Sequence, residues 1–123
     1  MKPAELQKKA GRATLLLKAM ANSSRLLILC QLAEGEKSVG ELERRVGLSQ
    51  SGLSQHLALL RRKGIVATRR EAQSIYYSVA SKEAAAVMAT LYRAFCAKPA
   101  TKRHPARLRE KLARGALPRA RIS

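Results

Sequence analysis

A mostly α-helical fold with a small β-hairpin, arranged as a winged helix-turn-helix with helical elements at both ends, is predicted by three observations. From Ser38 to Val79 a short capped helix, a Gly-Leu turn and a second capped helix follow one another, the spacing of a helix-turn-helix. A β-branched, Arg-bearing hairpin comes directly after them, in the place of a wing. The chain of 123 residues carries 25 Lys+Arg against 8 acidic residues, for a net charge of +17. Such a balance points to a polyanionic partner, because basic side chains displace counterions from nucleic acid.

Each element has its own local cause. Pro3 suits a first helical turn, and Leu6, Ala10, Ala13, Leu17 and Met20 recur at spacings of three and four, so a helix is expected from Pro3 to Met20. A terminal helix cannot bury that stripe alone and must pack on the body or on a second subunit. Asn22, Ser23 and Ser24 supply turn and cap residues. The run RLLILCQLAEG then predicts a central helix, apolar nearly all round, with Leu26, Leu29, Cys30 and Ala33 on one face and Gly35 as a left-handed stop. Ser38 with Glu41 three residues on is a capping box for the third helix, whose inward stripe is Val39, Leu42 and Val46.

Gly47-Leu48 makes the turn and Ser49 caps the fourth helix, expected from Gln50 to about Lys63 with Leu53, Leu57 and Leu60 inward. Gly64 stops it. Ile65 to Arg70 and Ile75 to Val79 read as two strands around a polar turn at Glu71, Ala72 and Gln73. Ser81 caps a last amphipathic helix to about Ala97, with Ala84, Val87, Met88, Leu91 and Phe95 on one face and Tyr92 and Cys96 beside it. From Lys98 the composition changes. Residues 98–123 hold three of the four prolines and nine Lys+Arg against one Glu, and are expected to be a basic, disordered tail outside the domain of residues 1–97.

The residues expected to read DNA lie in two places. Gln50, Ser51, Ser54 and Gln55 occupy outward positions early in the fourth helix. Gln can pair bidentately with adenine, and Ser can donate or accept at a base edge. Arg69, Arg70 and Gln73 of the hairpin suit phosphate or minor-groove contacts. His56 falls at the edge of the inward stripe, where a packed, hydrogen-bonded histidine is expected. A stacking platform for single-stranded bases is excluded by an aromatic content of 3%.

The sequence argues against an enzyme. It has no Asp, hence no Ser/His/Asp set, and no glycine-rich phosphate loop. With two Cys and two His and no ligand spacing it offers no metal site and implies no cofactor. No apolar run reaches the roughly 20 residues of a membrane span. Two cysteines without a CxxC are not a secreted disulfide framework, so a reducing, cytoplasmic setting is expected. Cys30 and Cys96 are open to two readings on their own: small buried hydrophobes, or the attacking and resolving thiols of a sensor.

The segment LLKAMANSSRLLILCQLAEGEKSVGELERRVGLSQSGLSQHLALLRRKGIVATRREAQSIYYSV resembles the ArsR-type small winged-helix repressors, over about residues 14–97. LSQSGLSQHLALLRRKGIV is its most specific part. The resemblance implies a homodimer built on the first and last helices, bound to an inverted-repeat operator in double-stranded DNA and released by an inducer. Metalloid sensors of this kind carry a CVC-type motif where this chain has KSVGELE. Metal sensors need paired Asp/His and His/Glu ligands that TLYRAFCAKPA lacks. LLILCQLAEGE together with LYRAFCA resembles instead the sulfide-responsive, BigR-like subgroup. That likeness implies Cys30 and Cys96 as thiols that react with reactive sulfur species or oxidants and close a disulfide or polysulfide bridge. A metal- or metalloid-responsive repressor and a constitutive nucleoid-type DNA-binding protein are the alternative readings.

Overall fold

The computed structural model describes residues 1–96. The basic tail expected at 98–123 and the helix end expected at Ala97 lie outside the described residues. The elements run α1 (Pro3–Met20), α2 (Ser23–Ala33), β1 (Lys37–Ser38), α3 (Val39–Val46), α4 (Gln50–Arg62), β2 (Val66–Glu71), β3 (Ser74–Val79) and α5 (Lys82–Leu91), followed by a π-helical turn, Tyr92–Cys96. The chain divides into two compact units, the first Met1–Ala84 and the second beginning at Ala85.

The first unit is built on α2, α3, α4 and the base of the hairpin. Ile28, Leu29 and Leu32 from α2, Leu42 and Val46 from α3, and Leu53, Leu57 and Leu60 from α4 are buried together with Ile65 and Val66. Burying a Leu, Ile or Val side chain is worth about 1.5–3 kcal/mol, so this cluster is what fixes α4 in place. The inward stripes expected for α3 and α4 are present, with Val39 half-buried. The stripes expected of α1 and α2 are not. In α1 only Ala19 and Met20 are buried. In α2, Leu27 is exposed and Leu26 half-buried. An apolar run says that a helix can be buried on all sides, and the number of neighbours decides how many sides are. The axes of α1 and α2 turn by 94° at their junction.

The caps are as the sequence indicates. Asn22 accepts the Arg25 amide, Ser38 and Glu41 form both arms of the capping box, and Ser49 accepts the Gly52 amide. Gly47 takes φ 71°, ψ 21°, the left-handed conformation that lets α3 turn directly into α4. Gly64 does the same after α4. Its amide meets the Arg61 carbonyl at 3.0 Å, and the Ile65 amide meets the Leu60 carbonyl at 2.9 Å, a Schellman motif that launches the hairpin. Gly35 departs from expectation, with φ +148° in place of a left-handed stop; Glu34 is the cap of α2 and stays right-handed.

Two further features differ from the sequence reading. The wing is not a lone hairpin. Lys37 and Ser38 pair antiparallel with Tyr77 and Tyr76, giving a three-stranded sheet of order β1-β3-β2. A two-residue strand is too short to leave an alternating pattern in the sequence. The last helix is also not regular over its described length: it loosens into the π turn after Leu91. A wider turn rotates later side chains off the 3.6-residue stripe, and Tyr92 and Phe95 are exposed.

Candidate nucleic-acid interface and thiols

Because α4 is held by Leu53, Leu57 and Leu60 on one side, its opposite side must face outward. Gln50, Ser51, Ser54 and Gln55 are all exposed there. They occupy the first turns of the helix, where backbone amides also point outward. His56 lies at the edge of the buried stripe and is half-buried. Its Nδ1 stands 3.3 Å from Nη1 of Arg25, whose Nε donates to the Ala19 carbonyl at the end of α1. A packed, hydrogen-bonded histidine was expected at 56. Arg25 as its partner was not, because nothing at 31 residues' separation marks the pair.

The hairpin closes through a two-residue turn, Ala72-Gln73, with Glu71 paired to Ser74. Only Ala72 has a positive φ, 57°, the type II′ pattern that suits the right-handed twist of the strands. Side chains alternate along each strand, so neighbouring arginines take opposite faces. Arg70 shares the face of Val66 and Thr68, and of Tyr77 and Ile75 across the ladder. This is the face turned to α4. Between them lies an open groove of about 460 Å³ lined by Val39, Ser54, Leu57, Ala58, Arg61, Arg62 and Tyr77. Arg61, Arg62 and Arg70 are exposed, and none of them has an ion pair among the described residues.

Arg69 stands on the other face and is fully engaged. Its Nε and Nη2 donate to the two carboxylate oxygens of Glu36, at 2.7 and 2.8 Å, and its Nη1 donates to Glu71 at 2.6 Å. The guanidinium carbon lies 4.8 Å from the centre of the Tyr76 ring. These hydrogen bonds hold the Glu36 carboxyl below its usual range and the Arg69 guanidinium above its own. The structure thus separates two arginines that adjacency in sequence had grouped. The Arg69–Tyr76 pairing follows from the register of a two-residue hairpin; Glu36 could only be found once β1 was known.

Of the thiols, Cys30 lies on α2 and is half-buried, and Cys96 ends the π turn and is exposed. No three His, Cys, Asp or Glu side chains gather as a metal site among the described residues. No single described helix is long and apolar enough to cross a membrane.

The model of the bacterial regulatory protein arsR family matches residues 22–68, from the cap of α2 into the wing. The transcriptional activator HlyU of Vibrio cholerae is 54% identical over 92 residues, which cover 75% of this chain and 85% of that protein. The structure described as its reduced form superimposes with a TM-score of 0.73 at 54% identity, over 76% of this chain and 98% of the chain in that structure. The biofilm growth-associated repressor of Agrobacterium fabrum is 48% identical over 92 residues, 75% of this chain and 79% of that one. The transcriptional repressor BigR of Xylella fastidiosa has a TM-score of 0.71 at 43% identity, over 80% of this chain and all of the BigR chain.

Proposed function

The chain belongs to the ArsR family of bacterial regulatory proteins, and from that premise we propose that it is a homodimeric repressor that leaves its operator when Cys30 and Cys96 react with reactive sulfur species or oxidants. As an ArsR-family protein it is a DNA-binding transcriptional regulator. The observation that carries the interface is the groove between α4 and the wing, lined by Arg61 and Arg62, by the Ser54 side of the recognition helix and by Tyr77 of the wing, with exposed Arg70 on the same face of the sheet as Tyr77. Gln50, Ser51, Ser54 and Gln55 meet base edges in the major groove, while the wing and its flanking arginines meet phosphates.

The dimer reading is supported by α1. Leu6, Leu15 and Leu17 are 55, 61 and 51% exposed, an apolar load that a helix in water would cover with a second subunit. The sensing reading is supported by two thiols in a likeness to repressors and to a relative described in a reduced state. Exposed Cys96 is the first nucleophile in this scheme. Its thiolate attacks the outer sulfur of a low-molecular-weight persulfide, taking that sulfur as Cys96–S–SH and releasing the carrier as a thiolate. The Cys30 thiolate then attacks the inner sulfur, forming Cys30–S–S–Cys96 and expelling HS⁻. The sulfane donor is the two-electron oxidant in this pair of steps. The bridge need only shift a two-state dimer by a few kcal/mol to weaken binding ten- to hundred-fold, by about 1.4 kcal/mol per factor of ten.

The test is a gel shift of reduced and persulfide-treated protein on a duplex enriched by the protein from a random pool, with intact mass read in parallel. Loss of operator binding together with loss of two hydrogens, or gain of bridging sulfur, is expected. Cys30→Ser and Cys96→Ser variants that still release DNA on treatment would refute the thiol mechanism. A reporter behind the same duplex fixes the direction of control: repression requires higher output on treatment.

A further inference from the structure

The wing arginine that two carboxylates occupy cannot serve as a phosphate contact in that state. Arg69 with Glu36 and Glu71 is a cluster of one positive and two negative charges, net negative. Its Nε and Nη2 face one carboxylate in the bidentate fork geometry that Arg alone provides, and Nη1 faces the other. The flat face of the guanidinium is covered by Tyr76. We propose that Arg69 is a positioning residue, a strap that ties the wing to the start of the helix-turn-helix and thereby sets where Arg70 stands.

The strap spans the sheet. Tyr76 lies on the central strand β3, opposite Arg69 on one side and Ser38 on the other. Alternation places Glu36 on the same face as Ser38. Arg69 therefore reaches over the Tyr76 ring from one edge strand to the segment that leads into the other. That other edge needs help. β1 contributes only two residue pairs to the ladder, and short edge pairing is weak. Two residues beyond Glu36, Ser38 is at once a ladder residue and the cap of α3, with both arms of its capping box formed. Arg69 thus links the wing through Glu36 to the start of α3, and α3 turns directly into the recognition helix at Gly47. Arg70, on the opposite face with Thr68 and Tyr77 and without an ion pair among the described residues, is then the wing arginine on the α4 side of the sheet. The proposal rests on the reading that α4 and the wing both lie against DNA.

Glu36→Gln is the decisive variant because it separates charge from position. It adds one net positive charge, so simple attraction to phosphates predicts tighter binding. The strap predicts the reverse. Amide exchange over residues 66–79 in the free protein should speed up at least about three-fold in Glu36→Gln and Arg69→Gln alike. Both variants should bind the enriched duplex about three- to ten-fold more weakly, with the salt slope kept. Arg69→Lys retains the charge but not the fork, and should follow Arg69→Gln. Arg70→Gln should leave exchange unchanged and lower the salt slope by about 1. Tighter binding by Glu36→Gln, or a slope lowered by about 1 in Arg69→Gln with unchanged exchange, would overturn the proposal and make Arg69 a phosphate contact. A silent Arg70→Gln would instead sink the wing's role against DNA, leaving the strap to stand or fall by exchange alone.

Discussion

Ser49 tests whether the front of the recognition helix must be preformed. It is the N-cap of α4, with its Oγ accepting the Gly52 amide at 3.0 Å. No acidic residue occupies the first turn to meet the other orphan amides. Ser49→Ala removes that bond and costs about 1 kcal/mol, within a usual range of roughly 0.5–2. In a domain of this size, each kcal/mol lowers Tm by roughly 4–8 °C. The same free energy enters binding, because Gln50 and Ser51 begin the helix and a frayed first turn must refold before they can reach base edges. One kcal/mol is about a five-fold loss of affinity. Ser49→Asp then separates the two consequences. Asp caps as well as Ser and favours the helix dipole, so Tm should return to the parent value. With α4 docked on DNA as proposed, its carboxylate would face the phosphate backbone at the helix N-terminus, so affinity should not recover. Thermal melts by circular dichroism and fluorescence anisotropy on the enriched duplex measure both. A Ser49→Ala protein that melts and binds like the parent, or a Ser49→Asp protein that binds as tightly, would refute the reasoning.

Three further outcomes follow from the geometry. Ala72→Gly should stabilise the protein by about 0.5–1 kcal/mol: it relieves roughly 1–2 kcal/mol of left-handed strain at φ 57° against the added freedom of the unfolded chain, read as a rise in the denaturation midpoint. Leu53→Ala, at a fully buried position beneath the reading face, should cost about 2–5 kcal/mol, seen as a lower urea midpoint with an unchanged slope. Because Arg69 holds the Glu36 carboxyl below its ordinary value of 4.5, the strap is fully present above that value and is lost as pH falls through the lowered one. Wing amide exchange, corrected for intrinsic rate, should therefore be level from neutral pH down to about 5 and rise only in more acid solution; a rise already near pH 6 would mean that another group controls the wing.

What was legible in the sequence was what depends on neighbours along the chain. The capping box at Ser38 and Glu41, the turn at Gly47, the stop at Gly64 and the buried stripe of α4 all come from residues one or two helical turns apart, where backbone geometry leaves few choices. The exposure of Gln50, Ser51, Ser54 and Gln55 follows directly from that stripe. What was not legible depends on long-range pairing. Arg69 and Arg70 look equivalent in sequence, and only the strand register puts them on opposite faces. β1 is too short to announce itself, and with it Glu36 stays hidden. The apolar character of α1 and α2 was visible, but burial on all sides needs partners that a single chain of this size does not supply; the exposed leucines of α1 mark that shortfall. The π turn at Tyr92–Cys96 leaves no trace in a helical pattern that simply continues through it.

In the proposed scheme, reading and sensing fall to different elements, and one side-chain contact lies between them. The helix-turn-helix and wing, from Ser38 to Val79, contain no cysteine. Cys30 sits on α2, and α2 also carries Arg25, which meets His56 of the recognition helix and the carbonyl end of α1. A helix moves as a rod on the scale of five residues, so a displacement of α2 at Cys30 is transmitted to Arg25. There it acts on α4 at the boundary between its buried stripe and its reading face. A change too small to disturb Leu53, Leu57 and Leu60 can still tilt Gln50 to Gln55 against the groove, and major-groove contacts tolerate little misalignment because bidentate pairing demands both bonds at once. The wing needs no separate signal. If Arg69 ties the wing to α3 through Glu36 as proposed, a shift of α2 that moves the helix-turn-helix would carry the wing with it, and α4 and Arg70 would leave the DNA together.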